Sequence, residues 1–93
     1  MSNKAAGTSW DDYKKDYMSE EERQALRLRK EIILALIDAR ESKGMSQRDL
    51  EIVSGVKQPM IARIEKGYSS PTLSTIMKLL APLGKTLVVA DIH

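Results

Sequence analysis

Gln58 and Arg63 carry the side chains best suited to recognition chemistry in this chain. A glutamine amide donates and accepts side by side, which matches N6 and N7 of adenine, and an arginine fork grips guanine O6 and N7 or a phosphate. Lys57, Lys66 and Ser69 flank them and suit phosphates, contacts that orient a protein on a duplex but carry little sequence information. Gln47 is a further phosphate candidate, through its amide and the helix N-terminus it occupies. For any one of these residues alone, a solvated surface is the better explanation. Their grouping on one face is what favours DNA. Reaction chemistry has no comparable support: there is no cysteine, the single histidine is His93, and no constellation of His, Cys, Ser or carboxylates suggests catalysis. No enzyme, metal site or cofactor is expected.

The stretch that must position these groups is Ser46 to Gly67, SQRDLEIVSGVKQPMIARIEKG. It predicts two short helices joined by a tight turn. Ser46 caps the first, with Asp49 at its third position, and Leu50 and Val53 face inward before Gly55 breaks it. Lys57 to Lys66 form the second helix, ending at Gly67. Pro59 falls in its first turn, where the missing N–H has no intrahelical partner to lose. With Ile61 and Ile64 turned inward, Gln58, Ala62 and Arg63 face outward with Lys57, Pro59, Met60 and Lys66 at the flanks. This is helix-turn-helix grammar.

Before the motif, Ser19 followed by Glu20, Glu21 and Glu22 forms a capping box and starts a long helix, which continues to about Ser42 with Gly44 as its stop. Its inward stripe is Ile32, Ile33, Leu36, Ile37 and Arg40. Arg40 on this stripe and Glu65 beside Ile61 and Ile64 both point to the interior. A charge there is tolerable only if paired, so the two are expected to meet as a structural ion pair. Earlier still, Trp10, Tyr13 and Tyr17 share one face of a short predicted helix. The stripe either folds back to fill a groove or serves as a partner-binding arm, since aromatic anchors dominate binding hot spots.

After Tyr68, Ser70 or Thr72 caps another helix with Leu73, Ile76, Met77 and Leu80 inward, ended by Pro82 and Gly84. Lys85 to Ile92, KTLVVADI, is rich in β-branched residues and predicts one short strand, which needs a partner such as the same strand of a second copy. The alternative is an apolar tail laid across the helices.

Ninety-three residues suit one compact domain. The net charge is only +2, but its distribution is uneven. From Val56 to Lys85 the bases are Lys57, Arg63, Lys66, Lys78 and Lys85, against Glu65 as the single acid. That excess lies on and after the second motif helix, where phosphates would have to be neutralised. No apolar run reaches the length of a membrane span and the first residues lack a signal-peptide core, so a cytoplasmic protein is expected.

From Glu31 to Gly84 the chain resembles the Cro and lambda-repressor-like (XRE) helix-turn-helix domain. The resemblance is carried by Arg40, Gly44-Met45-Ser46-Gln47, Leu50, Ser54-Gly55-Val56, Gln58-Pro59, Ile61-Ala62-Arg63-Ile64-Glu65, Gly67, Pro71 and Leu73. It implies about five packed helices, dimeric binding to a palindromic operator, and the same Arg40 to Glu65 pair. Glu51 departs from the pattern, standing where a small residue is usual, which predicts looser or shifted packing between the motif helices. The N-terminal extension and the ending APLGKTLVVADI are similar to HigA-type antitoxins, which neutralise a small ribonuclease toxin and repress their own operon. That likeness assigns Trp10, Tyr13 and Tyr17 to a toxin and Leu87, Val88 and Val89 to a homodimer. The expected architecture is an all-α bundle: an aromatic arm over 1–18, the helix-turn-helix domain over 19–84 with its motif at 46–67, and a β-strand tail over 85–93. A free-standing XRE-type regulator without a toxin, and a pure protein-binding adaptor, are the alternatives.

Overall fold

The computed structural model of the chain describes residues 17–92. Among them are four α-helices, α1 (Glu20–Ser42), α2 (Gln47–Ser54), α3 (Gln58–Glu65) and α4 (Leu73–Leu80), with a 3-10 turn over Ala81–Leu83. These residues fall into two units, divided between Lys30 and Glu31 inside α1.

In the first unit the start of α1 is fixed by its own side chains. Ser19 Oγ accepts the Glu22 N–H at 3.1 Å, and Glu22 Oε1 accepts the Ser19 N–H at 2.8 Å. Glu20 accepts from Arg23 Nη2 at 2.6 Å, a bond that holds the Glu20 carboxyl below the ordinary carboxylate range. Of the aromatic stripe, Tyr17 is exposed, while Trp10 and Tyr13 lie outside the described residues.

The second unit is built on one apolar core. Ile33, Leu36 and Ala39 come from α1, Leu50 from α2, Ile61 and Ile64 from α3, Ile76, Leu79 and Leu80 from α4, and Leu83 from the 3-10 turn. Each buried leucine or isoleucine stabilises the fold by about 1.5–3 kcal/mol. Thr72 caps α4 by accepting the Thr75 N–H at 3.1 Å. Leu50 is the single buried side chain of α2, yet this helix packs on α3, α4 and the 3-10 turn at once.

Three expectations about apolar residues are corrected. Val53 is about half exposed, because the face of α2 turned to its neighbours is Gln47, Leu50, Glu51 and Ser54, at i, i+3, i+4 and i+7. Leu73 is exposed as well: it is the first residue of α4, and a helical side chain leans toward the N-terminus, so Leu73 overhangs the end of the helix instead of facing the core. Residues 85–92 carry no strand. A strand exists through hydrogen bonds to a neighbour, and none is present among the described residues, so β-branched composition alone does not make one. The Lys85 N–H instead bonds the Leu80 carbonyl at 3.0 Å, and Leu87 packs partly buried against the core. Val88, Val89 and Ile92 stay exposed. Leu87, Val88 and Val89 therefore lie in no strand, and the described residues are all-α.

Two measurements check this account. Leu50→Ala is expected to lower unfolding free energy by about 2–5 kcal/mol, read from urea melts, because the site is fully buried beneath three elements. Asp49 gives a pH test. The backbone N–H of Ser46, and then its hydroxyl, hold the Asp49 carboxyl below its ordinary value. Its contribution to stability is present above the unfolded-state pKa and is lost as pH falls through the depressed folded value. Asp49→Asn should therefore melt earlier than the parent at neutral pH, with the gap closing in acid.

Candidate nucleic-acid interface

The two motif helices are set by their ends. Ser46 Oγ accepts the Asp49 N–H at 3.0 Å and Asp49 Oδ2 accepts the Ser46 N–H at 2.9 Å, which fixes the start of α2. Gly55 ends α2 at φ 79°, a left-handed conformation costly for any residue with a Cβ. The chain then turns through Val56, whose N–H bonds Ser54 Oγ at 3.1 Å. At the far end of α3, the Gly67 N–H reaches the Ile64 carbonyl at 3.0 Å and the Tyr68 N–H the Arg63 carbonyl at 2.9 Å. This double closure is the Schellman pattern, and it requires the positive φ that Gly67 supplies at 78°.

The start of α3 is built differently. Lys57 sits at the cap position and offers no side-chain acceptor. The acceptor comes from the other helix: Glu51 Oε1 takes the Gln58 N–H at 3.1 Å. Glu51 thus joins the motif helices through its own carboxylate.

With Ile61 and Ile64 buried, Pro59, Ala62, Arg63 and Lys66 occupy the opposite stripe of α3 at i, i+3, i+4 and i+7. Arg63, Lys66, Pro59, Met60 and Lys57 are exposed, and Ser69 beyond the helix is half-buried. Gln58 and Glu65, seven residues apart, flank this stripe on the side of α2.

Between the helices runs a continuous polar relay. Arg40 donates to Glu65 through Nε at 2.8 Å and Nη2 at 2.9 Å, and through Nη1 to the Met45 carbonyl at 2.8 Å. The same Glu65 accepts from Gln47 Nε2 at 2.9 Å, and Gln47 Oε1 accepts from Gln58 Nε2 at 2.7 Å. The Arg40 and Glu65 side chains are only 11% and 7% exposed. Their hydrogen bonds hold the Arg40 pKa above the ordinary arginine value, against the effect of burial. The pair therefore belongs to the regime in which loss of one partner costs several kcal/mol, unlike an exposed bridge worth less than about 1 kcal/mol.

The relay also determines which way two amides point. An ionised carboxylate only accepts, so Gln47 must present its nitrogen to Glu65 and hence its oxygen to Gln58. Gln58 must then answer with its own nitrogen. What remains on Gln58 is its carbonyl oxygen and one N–H, an acceptor beside a donor. Gln47, expected as a phosphate contact, donates one amide N–H to Glu65 and accepts from Gln58, which leaves it a second N–H. The place of Gln47 and Glu51 between the helices was signalled in the sequence only by their i, i+4 spacing around Leu50.

Comparison with known proteins agrees with this geometry. The helix-turn-helix family matches residues 36–89, and the chain belongs to that family. A relative from Haemophilus influenzae, described as an uncharacterized HTH-type transcriptional regulator, is 50% identical over 87 residues, covering 94% of this chain and 89% of the relative. A solved structure described as a toxin-antitoxin module from Streptococcus pneumoniae contains a chain 48% identical to this one. That match covers 97% of this chain and 100% of the other, with a TM-score of 0.69.

A double-mutant cycle tests the relay. Glu65→Leu, which leaves Arg40 buried and unpaired, should cost about 3–5 kcal/mol in denaturant melts, whereas Arg40→Met with Glu65→Leu together should cost far less than the sum of the two single changes.

Proposed function

We propose that this protein is a sequence-specific DNA-binding repressor that also serves as the antitoxin of a toxin-antitoxin pair, and that it is not an enzyme. The observation that carries the DNA reading is the held amide of Gln58. An acceptor beside a donor, fixed on the first turn of α3, suits N6 and N7 of adenine in the major groove. Arg63 on the exposed stripe suits guanine or a phosphate, and Lys66 suits a phosphate. The H. influenzae relative's description as a transcriptional regulator supports the regulatory part. Pairing with a second copy, as a two-fold operator requires, belongs to this reading, and Val88, Val89 and Ile92 supply exposed apolar surface for it.

The antitoxin part rests on likeness to the S. pneumoniae toxin-antitoxin chain and to HigA-type antitoxins, together with the aromatic stripe of Trp10, Tyr13 and Tyr17. Such a stripe suits an apolar groove on a small basic ribonuclease.

Two experiments divide these claims. Gln58→Ala and Arg63→Ala should each cost about 1–3 kcal/mol in preference for the selected duplex over unselected DNA, measured at fixed salt. Equal affinity of the variants and the parent for both duplexes contradicts base reading. Deletion of residues 1–18 should abolish capture of a small basic ribonuclease toxin while leaving DNA binding intact; no capture by the full chain leaves a free-standing regulator as the reading, and unchanged capture by the truncated chain overturns the assignment of the arm to the toxin.

A further inference from the structure

Glu51 does more than bridge two helices. Its carboxylate lies at the N-terminal turn of α3, the end that carries Gln58, and it stands on the same α2 face as Gln47, one turn later. Three positive features converge on it. Oε1 accepts the Gln58 N–H at 3.1 Å, Oε2 lies 4.0 Å from Lys57 Nζ, and Oε1 lies 3.8 Å from Arg48 Nε. Lys57 and Arg48 are 83% and 74% exposed at their side chains, against 26% for Glu51. A helix N-terminus with a free N–H beside an exposed lysine and arginine attracts any phosphate, whatever the sequence. Here that N–H is already taken, by a group carrying a full negative charge.

We propose that Glu51 is a specificity-determining residue, which withholds the N-terminus of α3 and the Lys57 charge from DNA phosphates and so suppresses sequence-independent binding. The inference rests on the DNA reading above. Discrimination depends on the difference between affinities for the right and wrong duplex, and the repulsive group raises it by weakening phosphate-only complexes on any sequence more than the complex whose register base contacts already fix. A cap alone would not need a charge. A neutral amide accepts the same hydrogen bond, and that difference separates the two roles.

The test uses Glu51→Gln, which keeps an acceptor for the Gln58 N–H and removes the charge, and Glu51→Gln combined with Lys57→Met. Affinities are measured across a salt series for a random-sequence duplex pool and for the duplex that the parent selects from it. Glu51→Gln is expected to bind the random pool more tightly and to steepen the slope of log affinity against log salt by about 0.9, the value of one added phosphate contact. Between 200 and 50 mM salt that amounts to about a threefold larger gain than the parent shows. The ratio of selected to random affinity should fall, and Lys57→Met should restore the slope. An unchanged slope and unchanged random-pool affinity in Glu51→Gln, with the parent still selecting a duplex, overturn the role of Glu51 alone. A parent that selects nothing from the pool overturns the DNA reading and this inference together.

Discussion

The Arg40 to Glu65 pair is the constraint on which the motif depends. Two ionised groups cannot sit at about 90% burial unless each satisfies the other, and the bidentate contact does this across two helices distant in sequence. One arm of Arg40 also holds the Met45 carbonyl, so the end of α1 and the approach to α2 are tied at the same point. The pair thus fixes α3 against α1 and the entrance to α2 together. Apolar packing around it, by Leu36, Leu50, Ile61 and Ile64, supplies most of the stability but little direction, since such contacts are not orientational.

The direction comes from charge. Because Glu65 can only accept, the amide of Gln47 has one permitted orientation, and so does that of Gln58 after it. A buried ion pair that contributes little net stability can still specify how a surface side chain points. This links packing to the proposed function: the first turn of α3 presents an amide whose donor and acceptor are already placed, so ordering it on binding costs less rotamer freedom. The other end of that turn is governed by Glu51, which replaces the absent side-chain cap of Lys57.

Much of this was legible in the residues. Ser19 with Glu22, Ser46 with Asp49, and the glycines at 44, 55, 67 and 84 mark where helices start and stop, because caps and left-handed turns are local chemistry. Arg40 and Glu65 stand out as charges interrupting apolar stripes. Less legible was whatever depends on neighbours from elsewhere in the chain. The inner face of α2 is three polar residues around one leucine, so apolar periodicity pointed to Val53 and away from Glu51. Leu73 follows a helical spacing but lies at an end where the core has stopped. The β-branched run after Gly84 suggests a strand, yet pairing is a property of two segments, and the described residues offer one. Gln47 to Gln58 joins amides eleven residues apart, visible only once two helices are placed.

In the proposed reader, the buried charge pair orients the amide that meets the base. The most direct measurement selects duplexes from a randomised pool with the parent and with the Arg40→Met, Glu65→Leu double variant, after thermal melts have shown that both are folded. The variant is expected to lose its preference at the base facing Gln58 while its affinity for unselected duplex and its salt dependence stay those of the parent. Recovery of the same sequence by both proteins, with equal discrimination at that base, would contradict it.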